Sequence, residues 1–107
     1  ANTTPDTESF QHFITEYAWG EVWGRPGLDR RLRSAITLAS LVTAHHWREL
    51  ELHLRAALRN GLTRQQIVEI LLHTAVYAGV PAANRAFDVA REVFADLDAS
   101  ADDRPAE

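Results

Sequence analysis

Apolar residues recur along most of this chain with the spacing of α-helices, and no segment alternates as a β-strand would. The first predicted helix runs from Thr7 to Trp23, and residues 24–27, which hold two glycines and a proline, end it. Its apolar positions follow the i, i+3, i+4, i+7 spacing of one buried helix face: Phe10, Phe13, Ile14 and Tyr17.

Two further helices are predicted over residues 30–43 and from Trp47 to Leu58. Asp29 precedes the first as an N-cap, and Asn60-Gly61 is typical of a left-handed end to the second. We expect each helix to turn one apolar stripe toward the core: Leu32, Ile36, Ala39 and Val42 in the first, and Trp47, Leu50, Leu54 and Leu58 in the second.

The fourth predicted helix differs from the others because it is apolar almost all round. It follows a capping box at residues 63–66, runs to about Ala78 and ends at Gly79. Such a helix must be covered on every side, which indicates burial at a subunit interface. Pro81 opens a fifth helix, whose stripe is Ala83, Phe87, Ala90, Val93 and Phe94. The pattern predicts an all-α fold, an oligomeric five-helix bundle.

Composition narrows the possible functions. The 107 residues allow one domain, predicted at residues 7–97 between polar tails at 1–6 and 98–107. A net charge of −4 argues against a nucleic-acid partner, and no apolar run is long enough to predict a membrane partner. The sequence contains neither cysteine nor lysine, which excludes thiol nucleophiles, thiolate metal sites and Schiff bases on an internal lysine.

Two residues are candidates for proton transfer. His53 shares the inward side of its helix with Leu50 and Leu54, so burial would hold its pKa near neutrality. A core histidine hydrogen-bonded to a carbonyl is the alternative. Glu21 extends the stripe of Tyr17 by one i+4 step and is expected to point toward apolar surroundings.

A metal site is the other chemistry that histidines suggest here. His45, Glu49 and His53 would share one face of a helix that began at His45. Because His45 and His46 are expected to lie in the turn before the helix, we predict no metal site.

Arginines supply the best indication of an acidic ligand. Arg25 precedes Pro26 at a helix exit, where the backbone is held extended. Arg30, Arg31 and Arg33 crowd the next helix start, where their charge opposes the helix dipole but favours a bound anion. A guanidinium fixed in a rigid turn suits a carboxylate ligand.

Five blocks of the sequence resemble the carboxymuconolactone decarboxylase family. They are residues 17–28 (YAWGEVWGRPGL), 33–39, 51–57, 60–63 and 73–84 (HTAVYAGVPAAN), of which the first and last are the most specific. The resemblance implies an all-α bundle assembled as a homohexamer. Members usually carry a further helical segment before the first block, so we expect a trimmed chain or part of a longer polypeptide, as in fusions with an enol-lactone hydrolase.

The resemblance also implies an activity: cytoplasmic decarboxylation of 4-carboxymuconolactone to 3-oxoadipate enol-lactone, a step of protocatechuate catabolism. No cofactor is expected, because the unsaturated lactone accepts the electrons left by CO₂. The implied roles are proton delivery by His53 or Glu21, a grip on the retained carboxylate by Arg25 or Arg33, donation to the lactone carbonyl by Tyr77 or Trp19, and apolar walls at Trp19, Trp23 and Leu54.

Two alternatives to this activity stay open. A related domain could act on another acidic lactone, which a panel of substrates would reveal. The chain could also be a non-catalytic helical assembly module, in which Arg25 and His53 would face no common cavity.

Overall fold

The chain is helical almost throughout the part described by the structure, residues 5–102 of a computed structural model. The helices are α1 (Glu8–Ile14), continued by a π-helical segment (Thr15–Val22), α2 (Arg30–Thr43), α3 (Trp47–Arg59), α4 (Arg64–Ala78) and α5 (Val80–Asp102). The all-α prediction is confirmed. Helix α5 continues beyond Leu97, where a tail was predicted, and the predicted tail residues 1–4 and 103–107 lie outside the described part.

Local chemistry sets most helix ends where the sequence predicts them. The backbone N–H of Leu32 donates to Asp29 Oδ1 at 3.0 Å, which caps α2. The capping box at the start of α4 is present, with Thr63 and Gln66 bonding each other's backbone N–H groups. Gly61 and Gly79 follow α3 and α4 with φ values of +104° and +100°, which favour glycine.

The core lies among α2, α3, α4 and α5. Helix α2 packs against α3 and α4, and α5 closes the bundle against the same two helices. The largest fully buried side chains are Leu38, Val42, Leu50, Leu54, Ile67, Leu71 and Val93. The predicted inward face of α3 is confirmed at Leu50 and Leu54, which are fully buried. None of the helices in the described range combines the length and hydropathy needed to span a membrane.

The predicted core face of α2 is partly wrong. Val42 is buried, but Leu32 and Ile36 are exposed, and the buried face carries Ser34 and Leu38 instead. The polar Ser34 is accommodated because its Oγ accepts a 3.0 Å hydrogen bond from Asn60 Nδ2. Helix α2 has apolar residues on two faces, and α3 and α4 cover only one of them.

The predicted apolar stripe of α1 is not covered by the residues that the structure describes. Phe10, Phe13 and Tyr17 are all exposed, and α1 buries no residue. Helix α4 is covered on one side only: Ile67 and Leu71 are buried. Several apolar side chains of α4 remain exposed in the single chain, namely Val68, Leu72, Val76 and Tyr77, and their burial at a subunit interface stays a prediction.

Candidate active site

The π-helical segment brings two indole rings next to each other. Its wider turn is seen where the backbone N–H of Trp23 donates to Ala18 O at 2.9 Å, an i→i−5 bond. The Trp19 and Trp23 ring centroids lie 5.3 Å apart. A Cβ on Gly24 would lie 2.9 Å from Gly20 O, so glycine at position 24 permits the close backbone approach that ends this segment.

His53 connects the bundle to this segment. Its imidazole stacks on Trp19 with centroids 6.1 Å apart and an interplanar angle of 18°. Partial burial lowers the pKa of His53 from its ordinary value, and the charge of Glu49 opposes that shift. Desolvation is the larger effect, so the free protein holds His53 mainly neutral at pH 7. A half-buried imidazole beside an aromatic ring can accept or deliver a proton.

Arg33 is fixed by the turn that joins the π-helical segment to α2. Its Nε donates to Leu28 O at 3.0 Å, and its Nη2 donates to Arg25 O at 3.1 Å. These bonds hold the guanidinium fork in one orientation while leaving other N–H groups for a ligand.

A cavity of about 140 Å³ opens beside Arg33. Its lining is apolar apart from the guanidinium and one hydroxyl, and consists of Val22, Trp23, Leu28, Arg33, Ile36 and Thr37. The Thr37 hydroxyl donates to Arg33 O at 2.8 Å, which makes its remaining role that of an acceptor. A single cation among apolar walls is an arrangement that suits a small anion with a non-polar body.

The structure therefore brings together three of the predicted site residues and links a fourth. Arg33 and Trp23 line the cavity, Trp19 packs on Trp23, and His53 packs on Trp19. Arg25 contributes its carbonyl to Arg33, while its side chain is exposed. Neither Arg25 nor His53 lines this cavity.

Two predicted site residues lie elsewhere. Glu21 is exposed, so its expected direction toward apolar surroundings is wrong. The i+4 step assumed for it does not hold in a π-helical segment, whose turns are wider. Tyr77 is 80% exposed on α4, with its ring against His73 at a centroid distance of 5.5 Å, and it does not line the cavity beside Arg33.

Sequence reasoning missed four cavity residues, Val22, Leu28, Ile36 and Thr37. Ile36 and Thr37 stand three and four positions after Arg33 on the same helix, and this spacing places them on its face. The same helical pattern fits Ile36 equally well to a core position, which hides this signal.

The alternative metal face of α3 does not form. His45 precedes the helix with φ +61° and stacks on Trp47 at 5.4 Å, so it lies in the turn, as predicted. Within the described residues, no three His, Asp or Glu side chains are grouped so that they could hold a metal ion.

Comparison with known proteins places this geometry in context. The sequence is 48% identical over 96 residues to the 4-carboxymuconolactone decarboxylase of Acinetobacter baylyi, covering 90% of this chain and 72% of that protein. It is 47% identical over 96 residues to the nitrosuccinic acid decarboxylase of Metarhizium robertsii, covering 90% of this chain and 67% of the relative. An uncharacterised 15.0 kDa protein of Paracoccus denitrificans is 29% identical over 87 residues, or 79% of this chain and 65% of that one.

The match to a protein family covers most of the described helices. Residues 8–92 match the carboxymuconolactone decarboxylase family, a range that begins with α1 and ends within α5. It includes the two tryptophans, Arg33 and His53. On this match and the two decarboxylase relatives, the chain belongs to the carboxymuconolactone decarboxylase family.

Proposed function

We propose that this protein is a carboxy-lyase that converts 4-carboxymuconolactone to 3-oxoadipate enol-lactone. One observation carries the proposal: an oriented Arg33 lines an apolar cavity whose Trp23 wall leads through Trp19 to His53. The 48% identity to a 4-carboxymuconolactone decarboxylase supports the same substrate.

The substrate supplies its own electron acceptor. Its leaving carboxylate sits on a ring carbon that is conjugated, through the ring double bond, with the lactone carbonyl. As the bond to CO₂ breaks, its electron pair moves into the ring and onto the carbonyl oxygen, giving a dienolate. A proton then adds at the carbon next to the carbonyl and the enol-lactone results. The proposal therefore requires no cofactor and no metal.

Arg33 is the proposed anchor for the acetate carboxylate that the product retains. The geometry favours it over Arg25, because Arg33 lines the cavity and is already oriented by two backbone carbonyls. Arg25 then acts through its carbonyl, and its exposed side chain is a second cation for the approaching dianion. A charge-assisted pair between guanidinium and carboxylate fixes the ring with little further loss of freedom.

His53 is the proposed proton donor. Burial lowers its pKa, so its protonated form is a stronger acid than an ordinary imidazolium, and the bound carboxylates raise the protonated fraction. After transfer of its proton to the dienolate, solvent reprotonates the ring. Glu21 is the second candidate for this role, and its exposure makes it the weaker one.

Trp19 is proposed to act on the lactone carbonyl, and Trp23 on the leaving carboxylate. The indole N–H of Trp19 is a donor for the growing charge on the lactone carbonyl. Tyr77 shares this role only if its exposed face of α4 meets the site in an assembly. The leaving carboxylate lies against Trp23 and Ile36, apolar walls that disfavour its charged ground state. Leu54, the other predicted wall, is fully buried in the core.

A second substrate is favoured by a specific observation, the 47% identity to a nitrosuccinic acid decarboxylase. Nitrosuccinate also bears a carboxylate, a CH₂–COO⁻ arm and an electron acceptor on one carbon. The Arg33 anchor and the apolar wall therefore suit either compound. The substrate class that we propose is a dicarboxylate in which the carbon that loses CO₂ is bonded to, or conjugated with, an electron-accepting group.

The assembly and setting of the enzyme complete the proposal. Exposed apolar residues on α1 and α4 support a homo-oligomer, and the family resemblance implies that it is a homohexamer. The enzyme is proposed to work in the cytoplasm, close to or fused with an enol-lactone hydrolase that consumes its product.

A direct assay tests the proposed function. Purified protein is added to freshly prepared 4-carboxymuconolactone, to nitrosuccinate, and to the lactone that lacks the acetate carboxylate, and CO₂ release is followed. We expect turnover of the first, and the third to be a poor substrate because Arg33 has nothing to hold. Turnover of nitrosuccinate alone would replace the first substrate with the second. No CO₂ from any of them would refute the proposal and favour a non-catalytic assembly module.

A further inference from the structure

Ile36 stands between two cavities on the surface of α2. The smaller, of about 140 Å³, is the one beside Arg33, and a second of about 370 Å³ opens between α2 and α4. Ile36 is the residue common to both linings. Its side chain is 57% exposed, so it projects from the helix instead of packing into the core. One isoleucine side chain therefore separates the candidate site from a larger apolar space.

The second cavity has the character of a space for an apolar group. On the α2 side it is lined by two small residues next to the isoleucine, Ala35 and Ala39. The Thr74 hydroxyl is used within α4, where it donates to a backbone carbonyl at 2.7 Å. The other polar side chains of the lining are Glu69 and His73. Because the Glu69 carboxylate disfavours a further acidic group, the cavity suits an uncharged, non-polar substituent.

The size of the smaller cavity restricts what binds beside Arg33. At about 140 Å³ it lies below the roughly 300–1,000 Å³ of pockets that hold larger organic ligands. A compact dicarboxylate anchored on Arg33 fits such a space. A bulkier ligand with the same anchor would meet Ile36 before it reached the second cavity. Val22 and Leu28 also line the smaller cavity, but neither borders the larger one.

We propose that Ile36 is a specificity-determining residue, which limits the bulk of the group carried beside the leaving carboxylate. This inference rests on the proposed function, because it takes the cavity beside Arg33 as the place where the dicarboxylate binds. With isoleucine at position 36, the substrate is confined to the smaller cavity. A shorter side chain at this position joins the two cavities and admits an apolar substituent.

Substitution of Ile36 changes this space without changing the fold. Ile36 lies within the regular helix α2, its exposed side chain contributes little to the core, and alanine has a higher helix propensity than isoleucine. Leu32 provides the matched control. It lies one turn earlier on α2, is 52% exposed, and lines neither of the two cavities.

Steady-state kinetics on two lactones tests the proposal. One is 4-carboxymuconolactone, and the other carries a butyl group on the ring carbon next to the one that loses CO₂. The wild type should prefer the first. We expect Ile36→Ala to raise kcat/KM for the butyl lactone, relative to the unsubstituted one, by about 10-fold or more, because a single methylene in an apolar pocket already changes this ratio by about that factor. Ile36→Val should give a smaller gain, and Leu32→Ala should leave the ratio within about twofold of the wild type.

Binding of unreactive dicarboxylates separates this inference from the proposed function. Succinate and 2-butylsuccinate have no electron acceptor and release no CO₂, so calorimetry measures only how tightly each variant holds them. Ile36→Ala should improve the affinity for 2-butylsuccinate relative to succinate by about 10-fold or more, because the butyl group then enters the second cavity. Leu32→Ala should leave the two affinities in the ratio seen with the wild type.

The outcomes distinguish the two claims. Equal handling of both ligands of a pair by the wild type would mean that the butyl group extends into solvent, and would overturn the role of Ile36. An unchanged ratio in Ile36→Ala, or an equal gain in Leu32→Ala, would do the same. Circular dichroism checks folding, and if Ile36→Ala loses helical content, the presence or absence of a gain in Ile36→Val decides. No turnover of either lactone, with the gain in 2-butylsuccinate binding retained, would overturn the proposed function alone. Failure of the wild type to bind either succinate would overturn both claims.

Discussion

The α2–α5 bundle and the α1 segment satisfy their apolar residues in different ways. In the bundle, side chains such as Leu54 and Ile67 are completely removed from water by neighbouring helices. In α1, Phe13 is 57% exposed, and the segment reaches the bundle through the stacking of Trp19 on His53. The bundle encloses a core of its own, although α2 and α4 also carry exposed apolar side chains such as Ile36 and Leu72. The α1 segment continues into the tryptophans of the candidate site but leaves its own aromatic stripe exposed.

The strongest test of this comparison concerns the residue where the two regions meet. We expect His53→Ala to retain its helical content and assembly but to lose about 100-fold or more in turnover of the lactone, because a positioned proton donor contributes at least that much. The measurement is kcat with circular dichroism as the check on folding. His46→Ala is the matched control, since His46 precedes α3 with no side-chain capping bond and should leave kcat unchanged. An active, folded His53→Ala would remove the residue from the mechanism.

The next largest effect concerns the free energy of unfolding, which should respond differently to substitutions in the bundle and in α1. Leu54→Ala leaves a cavity in the bundle and should lower the free energy of unfolding by about 2–5 kcal/mol. Phe13→Ala should change it by no more than about 0.5 kcal/mol at protein concentrations where the chain is monomeric. Urea unfolding at low concentration measures both. A large loss for Phe13→Ala under these conditions would mean that α1 packs on its own chain.

Arg33 tests how the turn links the two regions. Arg33→Lys keeps the charge but cannot reproduce the fork that bonds Leu28 O and Arg25 O, so we expect kcat/KM to fall by about 10- to 100-fold. Arg85→Lys changes an exposed arginine of α5 and should have no effect. Steady-state kinetics on the dicarboxylate lactone checks both. The same substitution is also measured on the lactone that lacks the acetate carboxylate. If kcat/KM falls by the same factor on both substrates, Arg33 acts by holding the turn rather than by binding the carboxylate.

The smallest expected effect is a dependence of stability on pH. Burial lowers the pKa of His53 in the folded chain below 6.5, its value in the unfolded chain. At a pH between the folded and the unfolded pKa, the unfolded chain therefore binds more protons than the folded chain. Stability from this group is therefore present above 6.5 and is lost as the pH falls toward the folded pKa. We expect the Tm of the wild type to drop more than that of His53→Gln between about pH 7.5 and pH 5.5. Parallel curves would contradict the burial of His53.

Helix ends were predictable from sequence because they depend on near neighbours. Asp29, Thr63 with Gln66, and the glycines at 61 and 79 satisfy or release backbone groups within a few residues. The face that a helix buries is a different matter. Helix α2 offers both Leu38 and Ile36 to a core, and only the positions of α3 and α4 decide between them.

The candidate site was predictable in its residue types and less so in its geometry. His53, Trp23 and Arg33 follow from position and resemblance, and the structure connects them. The sequence did not predict that Arg33 rather than Arg25 lines the cavity, because a helical pattern does not reveal hydrogen bonds across the turn. The direction of Glu21 failed for another reason: a π-helical turn carries no spacing that distinguishes it from an α-helical one.

The backbone contact at Gly24 limits how this enzyme could be redesigned. The Cβ of any other residue there would lie 2.9 Å from the Gly20 carbonyl oxygen, so the main chain would have to shift in the segment that positions Trp19 and Trp23. Attempts to widen substrate range should therefore hold position 24 constant. Val22 and Ile36 are better positions to vary, since both border the cavity beside Arg33.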